Sequence, residues 1–337
     1  MTVPFKLILS AAALMAATLT GPGVSNAADI KLKFATFGSA ESPIQKCAYR
    51  SVLEDIEKAS AGKIEFETYF GGQFGRAGRQ YDQLVRGIMD MSADILTYKP
   101  GAFPLSDLMT LPMMFSDPEK ASRALMRVYP TLLKEELQEV HIMWLAMTSP
   151  YVFHLREPIA SLADLKGKRV RVSGRALIDS LALIGIDGVA LPVTQQYENL
   201  QKGVIAGTLG TWTTVAAFKL QEVTTYHYEI DFAGSVVFFA MSKKAYEGLP
   251  ADMKKVIDGV STGDIAARAS GCFLKGDATG IALAKKAGSK IVRAPAETRA
   301  QLEKQLEPVI EKYLKEASEK NPKARAVYKA LKEEMAK

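Results

Sequence analysis

The amino-acid sequence contains little of the chemistry on which most enzyme active sites depend. It has three histidines and two cysteines in 337 residues, and no HExxH, GxSxG, CxxC or GxGxxG motif is present. These patterns accompany zinc-dependent hydrolysis, serine nucleophiles, dithiol exchange and dinucleotide binding. We therefore expect neither a metal nor a cofactor. His141, His154 and His227 each stand beside apolar or aromatic residues, so we assign them structural or surface roles.

Concentrated charge is also missing. The net charge is +6, but lysine and arginine are mixed with aspartate and glutamate throughout, and no basic tract is interleaved with aromatic residues. A nucleic-acid partner is therefore not expected. Cys47 and Cys272 are far apart and fit no metal or redox spacing. The sequence leaves open whether they form a disulfide or are two buried thiols.

The N-terminus carries a long apolar run with the features of an export signal. Lys6 precedes the apolar stretch 7–19, and Ser25-Asn26-Ala27 supplies the small residues that a signal peptidase recognises. The stretch is shorter than the about 20 residues that a membrane-spanning helix needs. We predict a signal peptide over residues 1–27, cleaved after Ala27, and a mature protein exported to the periplasm.

Strand and helix patterns follow one another along the mature chain. Residues 30–37 and 63–70 alternate as strands, with an amphipathic helix over 44–60 between them. Continued in this order, the elements indicate an α/β domain, and a second domain begins near Thr148. We predict that domain 1 comprises residues 28–148 plus about 239–275, and that domain 2 comprises 149–238 plus about 276–337 with the C-terminal helices.

The stretch from Asp164 to Arg175 combines a turn, a strand and the start of a helix. Gly167 opens the turn, residues 169–172 alternate charged and β-branched side chains, and an apolar helix follows Gly174. Ligands of α/β proteins collect at the carboxyl ends of strands, which is where the pattern places Arg171. Taken alone, such an arginine is more often a solvated edge charge.

Six motifs, each weak alone, follow one another in a specific order and spacing. They are Gly71-Gly72-Gln73-Phe74-Gly75 and the segments 87–90 (GIMD), 111–115 (LPMMF), 162–172 (LADLKGKRVRV), 200–207 (LQKGVIAG) and 241–250 (MSKKAYEGLP). Together they resemble the extracytoplasmic solute-binding subunit of the tripartite ATP-independent periplasmic (TRAP) transporters, over essentially the whole mature chain.

The resemblance implies a periplasmic binding protein of the second type, with mixed sheets, a hinge and a long helix spanning both domains. It implies that the protein is not an enzyme and that its partners are the membrane subunits of a TRAP transporter. In the family, an arginine at the position of Arg171 faces the interdomain cleft and forms a two-pronged salt bridge with the substrate carboxylate. The planar guanidinium suits that contact, because its donors match a carboxylate bidentately.

The chain departs from the family at several contact positions. The family's asparagine contact falls on Gly210, the second arginine of sialic-acid-binding members falls on Tyr151, and their polar contact after the first strand falls on Phe37. With Tyr98 and Trp212, these residues predict an aromatic pocket with few donors; the alternative is that the aromatic residues pack in the cores of their own domains. A sugar acid would leave buried hydroxyls unpartnered at a cost of about 1–3 kcal/mol each.

We therefore expect a monomeric solute-binding protein that takes a monocarboxylate, either an aromatic acid or a short 2-oxo or 2-hydroxy acid. A second carboxylate would need a second cation, which the sequence does not place. Arg175 is included among the candidate ligand contacts, with a surface or interdomain ion pair as its alternative role. An exported hydrolase with a spatially assembled site and a sensory subunit of the same fold stay open as alternatives.

Overall fold

The computed structural model describes Met1 and residues 29–337. The predicted signal peptide, apart from Met1, lies outside these residues. The strands are β1 Ile30–Ala35, β2 Ile64–Tyr69, β3 Met91–Ile95, β4 Val140–Met147, β5 Val152–Leu155, β6 Arg169–Val172, β7 Asp187–Ala190, β8 Gly207–Gly210, β9 Tyr226–Glu229, β10 Val236–Ser242 and β11 Lys290–Arg293.

Helices separate most of these strands. They are α1 Arg50–Ala59, α2 Gln80–Val85, α3 Pro118–Val128, α4 Arg175–Leu183, α5 Gln196–Gln201, α6 Trp212–Phe218, α7 Lys243–Gly248, α8 Ala251–Gly259, α9 Gly263–Lys286, α10 Ala296–Lys320 and α11 Ala324–Ala336. Within the described part of the chain, no helix combines the length and the apolar character needed to span a membrane.

The strands form two mixed sheets. The first has the order β2-β1-β3-β10-β4, with β1 parallel to β2 and β3, and with β10 antiparallel to β3 and β4. The second has the order β11-β9-β5-β8-β6-β7, in which β5 runs antiparallel to β8 and β9. The predicted α/β class with mixed sheets is thus confirmed.

Sequence periodicity explains which strands are buried on one face and which on both. In β1, Leu32 and Phe34 are buried while Lys31 and Lys33 are exposed, as the alternation predicts. All seven residues of β10 are buried, because this strand lies between two others in the sheet and is covered on both faces.

Two of the segments that link the sheets run side by side. The chain leaves the first sheet after β4 and returns to it at β10, and the two crossings run beside each other. Thr148 donates its amide to the Ser235 carbonyl at 3.0 Å, and Tyr151 donates to the Ala233 carbonyl at 2.8 Å. These paired crossings form the hinge of the predicted fold.

Helix α9 spans both sheets. It packs against α3 and β4 on the side of the first sheet and against α6 on the side of the second. Gly276 and Gly280 permit the close approach to α6, since a Cβ on Gly280 would lie 2.0 Å from the Trp212 carbonyl oxygen. Asp277, between them, accepts hydrogen bonds from the amide and hydroxyl of Thr213 at 2.6 and 2.8 Å. The predicted domain-spanning helix is present.

Two features of the structure bear on the domain limits. Strand β10 pairs within the first sheet from Val236 onward, close to the predicted return to domain 1 at about residue 239. The last helix, α11, packs against α3 beside the first sheet, whereas α10 packs against α4 beside the second. The apolar face of α11 would fit either domain by sequence, so its docking site is a property of the folded chain.

Candidate functional site

A cavity of about 110 Å³ lies between the two sheets, close to the hinge. One water needs roughly 10–15 Å³ by this measure, so the space suits a small organic molecule. Its lining draws on the end of β1, the end of β3, the crossing segments and the start of α6. Of the predicted contact residues, it includes Phe37, Tyr98, Tyr151, Arg171 and Gly210.

Arg171 is held in place at the cavity wall by backbone carbonyls. Its side chain is only 2% exposed, and Nε donates to the Leu191 carbonyl at 2.7 Å. Nη1 lies 3.5 Å from the Leu209 carbonyl oxygen. Within residues 29–337, no aspartate or glutamate forms an ion pair with this guanidinium. An unpaired buried cation is costly, which makes Arg171 a strong site for an anion.

Tyr98 joins the two halves of the site. It follows β3 of the first sheet, yet its hydroxyl oxygen accepts from the Arg171 Nη2 at 3.4 Å and from the Val193 amide at 3.2 Å. Burial raises the pKa of Tyr98 to about 12, against the opposing effect of the Arg171 charge. The phenol is therefore neutral near pH 7, and its single proton is available to a ligand beside Arg171.

Tyr151 contributes its ring rather than its hydroxyl. The hydroxyl donates to Ser235 Oγ at 2.6 Å and lies 3.3 Å from Ser173 Oγ, and the two serine oxygens are 3.2 Å apart. This hydroxyl cluster joins the crossing segments to the residues just after Arg171. The Tyr151 hydroxyl is consequently satisfied within the protein.

Gly210 ends strand β8 beside the cavity. A Cβ placed on it would contact only Thr214 Oγ1, at an ordinary distance of 3.5 Å. A side chain is therefore sterically tolerated here, and its absence leaves room in the cavity.

Trp212, predicted as a ligand contact, is not among the described residues that line the cavity. It begins helix α6, and the helix directs its indole into the core of the second sheet. The indole Nε1 donates to Glu229 Oε1 at 2.9 Å, and the ring lies 4.5 Å from the His227 ring. Sequence proximity to Gly210 suggested a contact, but the turn of the chain at Thr211 decides the direction of the side chain.

Arg175 also lies outside this cavity. Its Nη1 is 3.5 Å from Glu316 Oε2 on α10, and its guanidinium lies over the Tyr313 ring at 5.9 Å. It lines a separate, smaller cavity of about 80 Å³. The ion pair that the sequence offered as the alternative role is the observed one.

Several lining residues escaped sequence reasoning. Ser42 and Gln45 come from the loop after β1 and from a π-helical turn over Gln45–Tyr49. π-helical turns inside helices frequently mark functional sites. Their position after the carboxyl end of a strand was the signal that could have identified them.

Asp94 is an unexpected acid in the lining. Burial raises its pKa to about 7, while the amides of Ile95 and Gly78, which donate to it at 2.8 and 2.7 Å, oppose the increase. Asp94 thereby anchors the loop after β2, and its environment disfavours further negative charge nearby.

A disulfide stands directly behind the cavity wall. Cys47, in the same π-helical turn as Gln45, is bonded to Cys272 of α9. The neighbouring Phe273 lines the cavity. The two cysteines, which the sequence left open as a disulfide or two thiols, therefore form a disulfide that joins the π-helical turn to α9 at the cavity wall.

The buried histidines form a pair in the second sheet. His154 Nδ1 and His227 Nδ1 are 2.9 Å apart, and His154 Nε2 lies 3.2 Å from the Thr211 carbonyl oxygen. A carbonyl can only accept, so Nε2 of His154 is the protonated nitrogen and His227 Nδ1 donates across the pair. Burial lowers the pKa of both rings, that of His227 to about 4. Their role is structural.

Among the residues that the structure describes, no group of three or more histidine, cysteine, aspartate or glutamate side chains is arranged to hold a metal ion.

Two lobes joined by paired crossings, with an unpaired arginine facing the cavity between them, define a binding protein that encloses a small anion. The family model described as bacterial extracellular solute-binding protein, family 7, matches residues 34–317. The chain belongs to this family, and it is a solute-binding protein of the TRAP type. Proteins of this type are transport proteins that bind small carboxylates and work with membrane permease subunits.

Solved relatives share the whole architecture. A TRAP solute-binding protein from Rhodoferax ferrireducens, in complex with copurified benzoate, is 28% identical with a TM-score of 0.88, covering 91% of this chain and 97% of its own. A marine metagenome protein described as specific for aromatic acid ligands, in complex with 3-hydroxybenzoate, is 26% identical with a TM-score of 0.88, and the match covers 92% of this chain and 99% of that protein.

A relative found by sequence is the 2,3-diketo-L-gulonate-binding periplasmic protein of Escherichia coli K12, which is 21% identical over 73% of this chain and 76% of its own length.

Proposed function

We propose that this protein captures an aromatic or short 2-oxo or 2-hydroxy monocarboxylate in the cavity and delivers it to the membrane subunits of a TRAP transporter. The observation that carries the proposal is Arg171, a buried guanidinium without an ion-pair partner in the described chain, beside a cavity to which several aromatic residues contribute. A ligand carboxylate supplies the missing negative charge, and the guanidinium can meet it with two parallel donors.

The other walls favour an apolar ligand body. Phe37, Tyr49, Phe218 and Phe273 line the cavity with Tyr151. Burying an aromatic ring against them gains roughly 25 cal/mol per Å² of apolar surface removed from water, with further gain from ring–ring contacts. The solved relatives with benzoate and 3-hydroxybenzoate support the aromatic acid as the first ligand to test.

A thermal-shift screen of the purified mature protein tests this function. The panel comprises benzoate, phenylacetate, mandelate, pyruvate and lactate, with sialic acid, galacturonate and succinate as the contrasting acids. At a hundred times the dissociation constant, a binder gains about 2.7 kcal/mol of stability. We expect upshifts with the first group and an unchanged amount of ligand after incubation. The largest upshift with a sugar acid or succinate, or consumption of a ligand, would contradict the proposal.

Export and oligomeric state are part of the same proposal. The mature protein is expected in the periplasm with Ala28 as its N-terminal residue, which N-terminal sequencing of the exported protein tests. It is expected to be a monomer, which light scattering coupled to size exclusion tests.

A further inference from the structure

The first-domain end of the cavity holds buried polar groups that no atom of residues 29–337 satisfies. Gln45 is 2% exposed and Ser42 is 8% exposed, and both line the cavity. Gln45 Oε1 and Ser42 Oγ have no hydrogen-bond partner among the described residues. Buried polar atoms of this kind are normally satisfied by protein, ordered water or a ligand, so a polar group of a bound ligand can fill this place.

We infer that the natural ligand is a hydroxylated aromatic monocarboxylate, with its carboxylate on Arg171 and its ring hydroxyl on Gln45 and Ser42. This inference rests on the proposed function and specifies it further. Arg171 belongs to the second domain, whereas Gln45 and Ser42 follow β1 of the first, so one ligand would contact both domains through its two polar groups.

The charges of the lining select a hydroxyl over a second carboxylate. Arg171 is the only lysine, arginine or histidine side chain among the described residues lining the cavity, and Asp94 adds an acid to it. A second carboxylate would therefore be buried without a cationic counter-ion from the lining, which is strongly unfavourable. A hydroxyl can donate to the Gln45 carbonyl oxygen and also accept from the Ser42 hydroxyl, which matches both groups.

The polar end is well fixed before any ligand arrives. Gln45 Nε2 donates to Thr36 Oγ1 at 3.2 Å, which leaves Oε1 as the free end of the amide. The disulfide from Cys47 to Cys272 holds the same turn against α9. A fixed acceptor discriminates between ligands better than a mobile one, because no ordering cost reduces the gain.

The test compares benzoate with 3-hydroxybenzoate and 4-hydroxybenzoate by calorimetry on the wild-type protein. We expect at least one hydroxylated acid to bind about fivefold tighter than benzoate or more, the amount that one net hydrogen bond contributes. In Gln45→Met and Ser42→Ala, the ratio between the hydroxylated acid and benzoate, both measured on the same variant, is expected to fall toward one whatever the affinity of that variant for benzoate. Gln73→Met makes the same chemical change at an exposed position outside the cavity, and its ratio should stay at the wild-type value.

The two levels of proposal fail in different ways. If benzoate binds but neither hydroxyl isomer binds tighter, the inference about the hydroxyl is overturned and the proposed function stands. A gain that survives in both Gln45→Met and Ser42→Ala overturns it as well. If no aromatic or short monocarboxylate binds, the proposed function fails and takes this inference with it. If a variant does not fold, the affinities of the wild-type protein for benzoate and the two hydroxybenzoates decide whether a ring hydroxyl strengthens binding.

Discussion

Replacing Arg171 with methionine separates ligand binding from folding. The change keeps an unbranched side chain of similar length and removes the charge. In the ligand-free protein it removes one good hydrogen bond, from Nε to the Leu191 carbonyl at 2.7 Å, and two long ones. Such a bond contributes about 1 kcal/mol net, whereas relieving a buried unpaired charge recovers a comparable or larger amount.

We therefore expect Arg171→Met to melt within a few degrees of the wild-type protein, or above it, and to bind poorly. Removing one partner of a desolvated charge pair costs about 2–5 kcal/mol, or roughly 30-fold to several thousand-fold in the dissociation constant. A ligand at a hundred times the wild-type constant stabilises the wild type by about 2.7 kcal/mol. After a hundredfold loss of affinity the same concentration gives only about 0.4 kcal/mol, so the thermal upshift nearly disappears.

Calorimetry measures the ligand affinity, and thermal melting the stability, of the wild type, Arg171→Met and Arg169→Met. Arg169→Met is the matched control, because Arg169 lies on the same strand, is half exposed and is only loosely paired with Asp187 at 3.8 Å. It should bind as the wild type does. An affinity of Arg171→Met within about threefold of wild type, a difference under 1 kcal/mol, would remove Arg171 from the site and refute the reasoning.

Four further outcomes are expected. Tyr98→Phe removes the hydroxyl that reaches from the first domain to Arg171 and Val193 of the second. The change should weaken carboxylate binding about fivefold by calorimetry, the value of one hydrogen bond, and unchanged affinity would exclude the Tyr98 proton from the ligand contact. Gly210→Asn should fold with an unchanged melting temperature, since a Cβ there meets only ordinary contacts, but should weaken benzoate binding at least about fivefold by overfilling the cavity. The free energy of unfolding should fall as the pH drops from about 6.5 toward 4, because His227 binds a proton in the unfolded chain but stays neutral when buried in the folded protein. In His227→Gln, urea unfolding should show a smaller loss of stability over this pH range. An equal loss in the variant would show that other groups cause the pH dependence. Reducing the Cys47–Cys272 disulfide should cost about 2–4 kcal/mol of stability and also weaken binding, whereas loss of stability with full affinity would show that the cross-link does not position the wall.

The spacing of apolar residues, and the glycine and proline residues that end helices and strands, determined most of the secondary structure. The alternation of Lys31, Leu32, Lys33 and Phe34 predicts an inward and an outward face for β1, and the structure shows both. The order and spacing of six short motifs indicated the family, and the family implied the two-lobed architecture. These features are local, since each depends on neighbours a few residues apart.

The strand-end pattern singled out Arg171 as a position where α/β folds collect ligands, and the resemblance to the TRAP family supplied its role as a carboxylate contact. The structure places Arg171, together with Phe37 and Tyr151, at the cavity. The direction of a side chain at the start of a helix has no such local signature. Trp212 was consequently assigned to the cavity, although α6 turns it into the core.

Contacts between distant segments were decided only by the tertiary structure. Cys47 meets Cys272, Arg175 meets Glu316, and Tyr98 reaches Arg171 across the two domains. Each contact depends on how two independently formed elements dock, and docking is set by the packing of whole faces rather than by either segment alone. The polar end of the cavity was hidden for the same reason. An unsatisfied oxygen can be recognised only once every neighbour that might have satisfied it has taken its place in the fold.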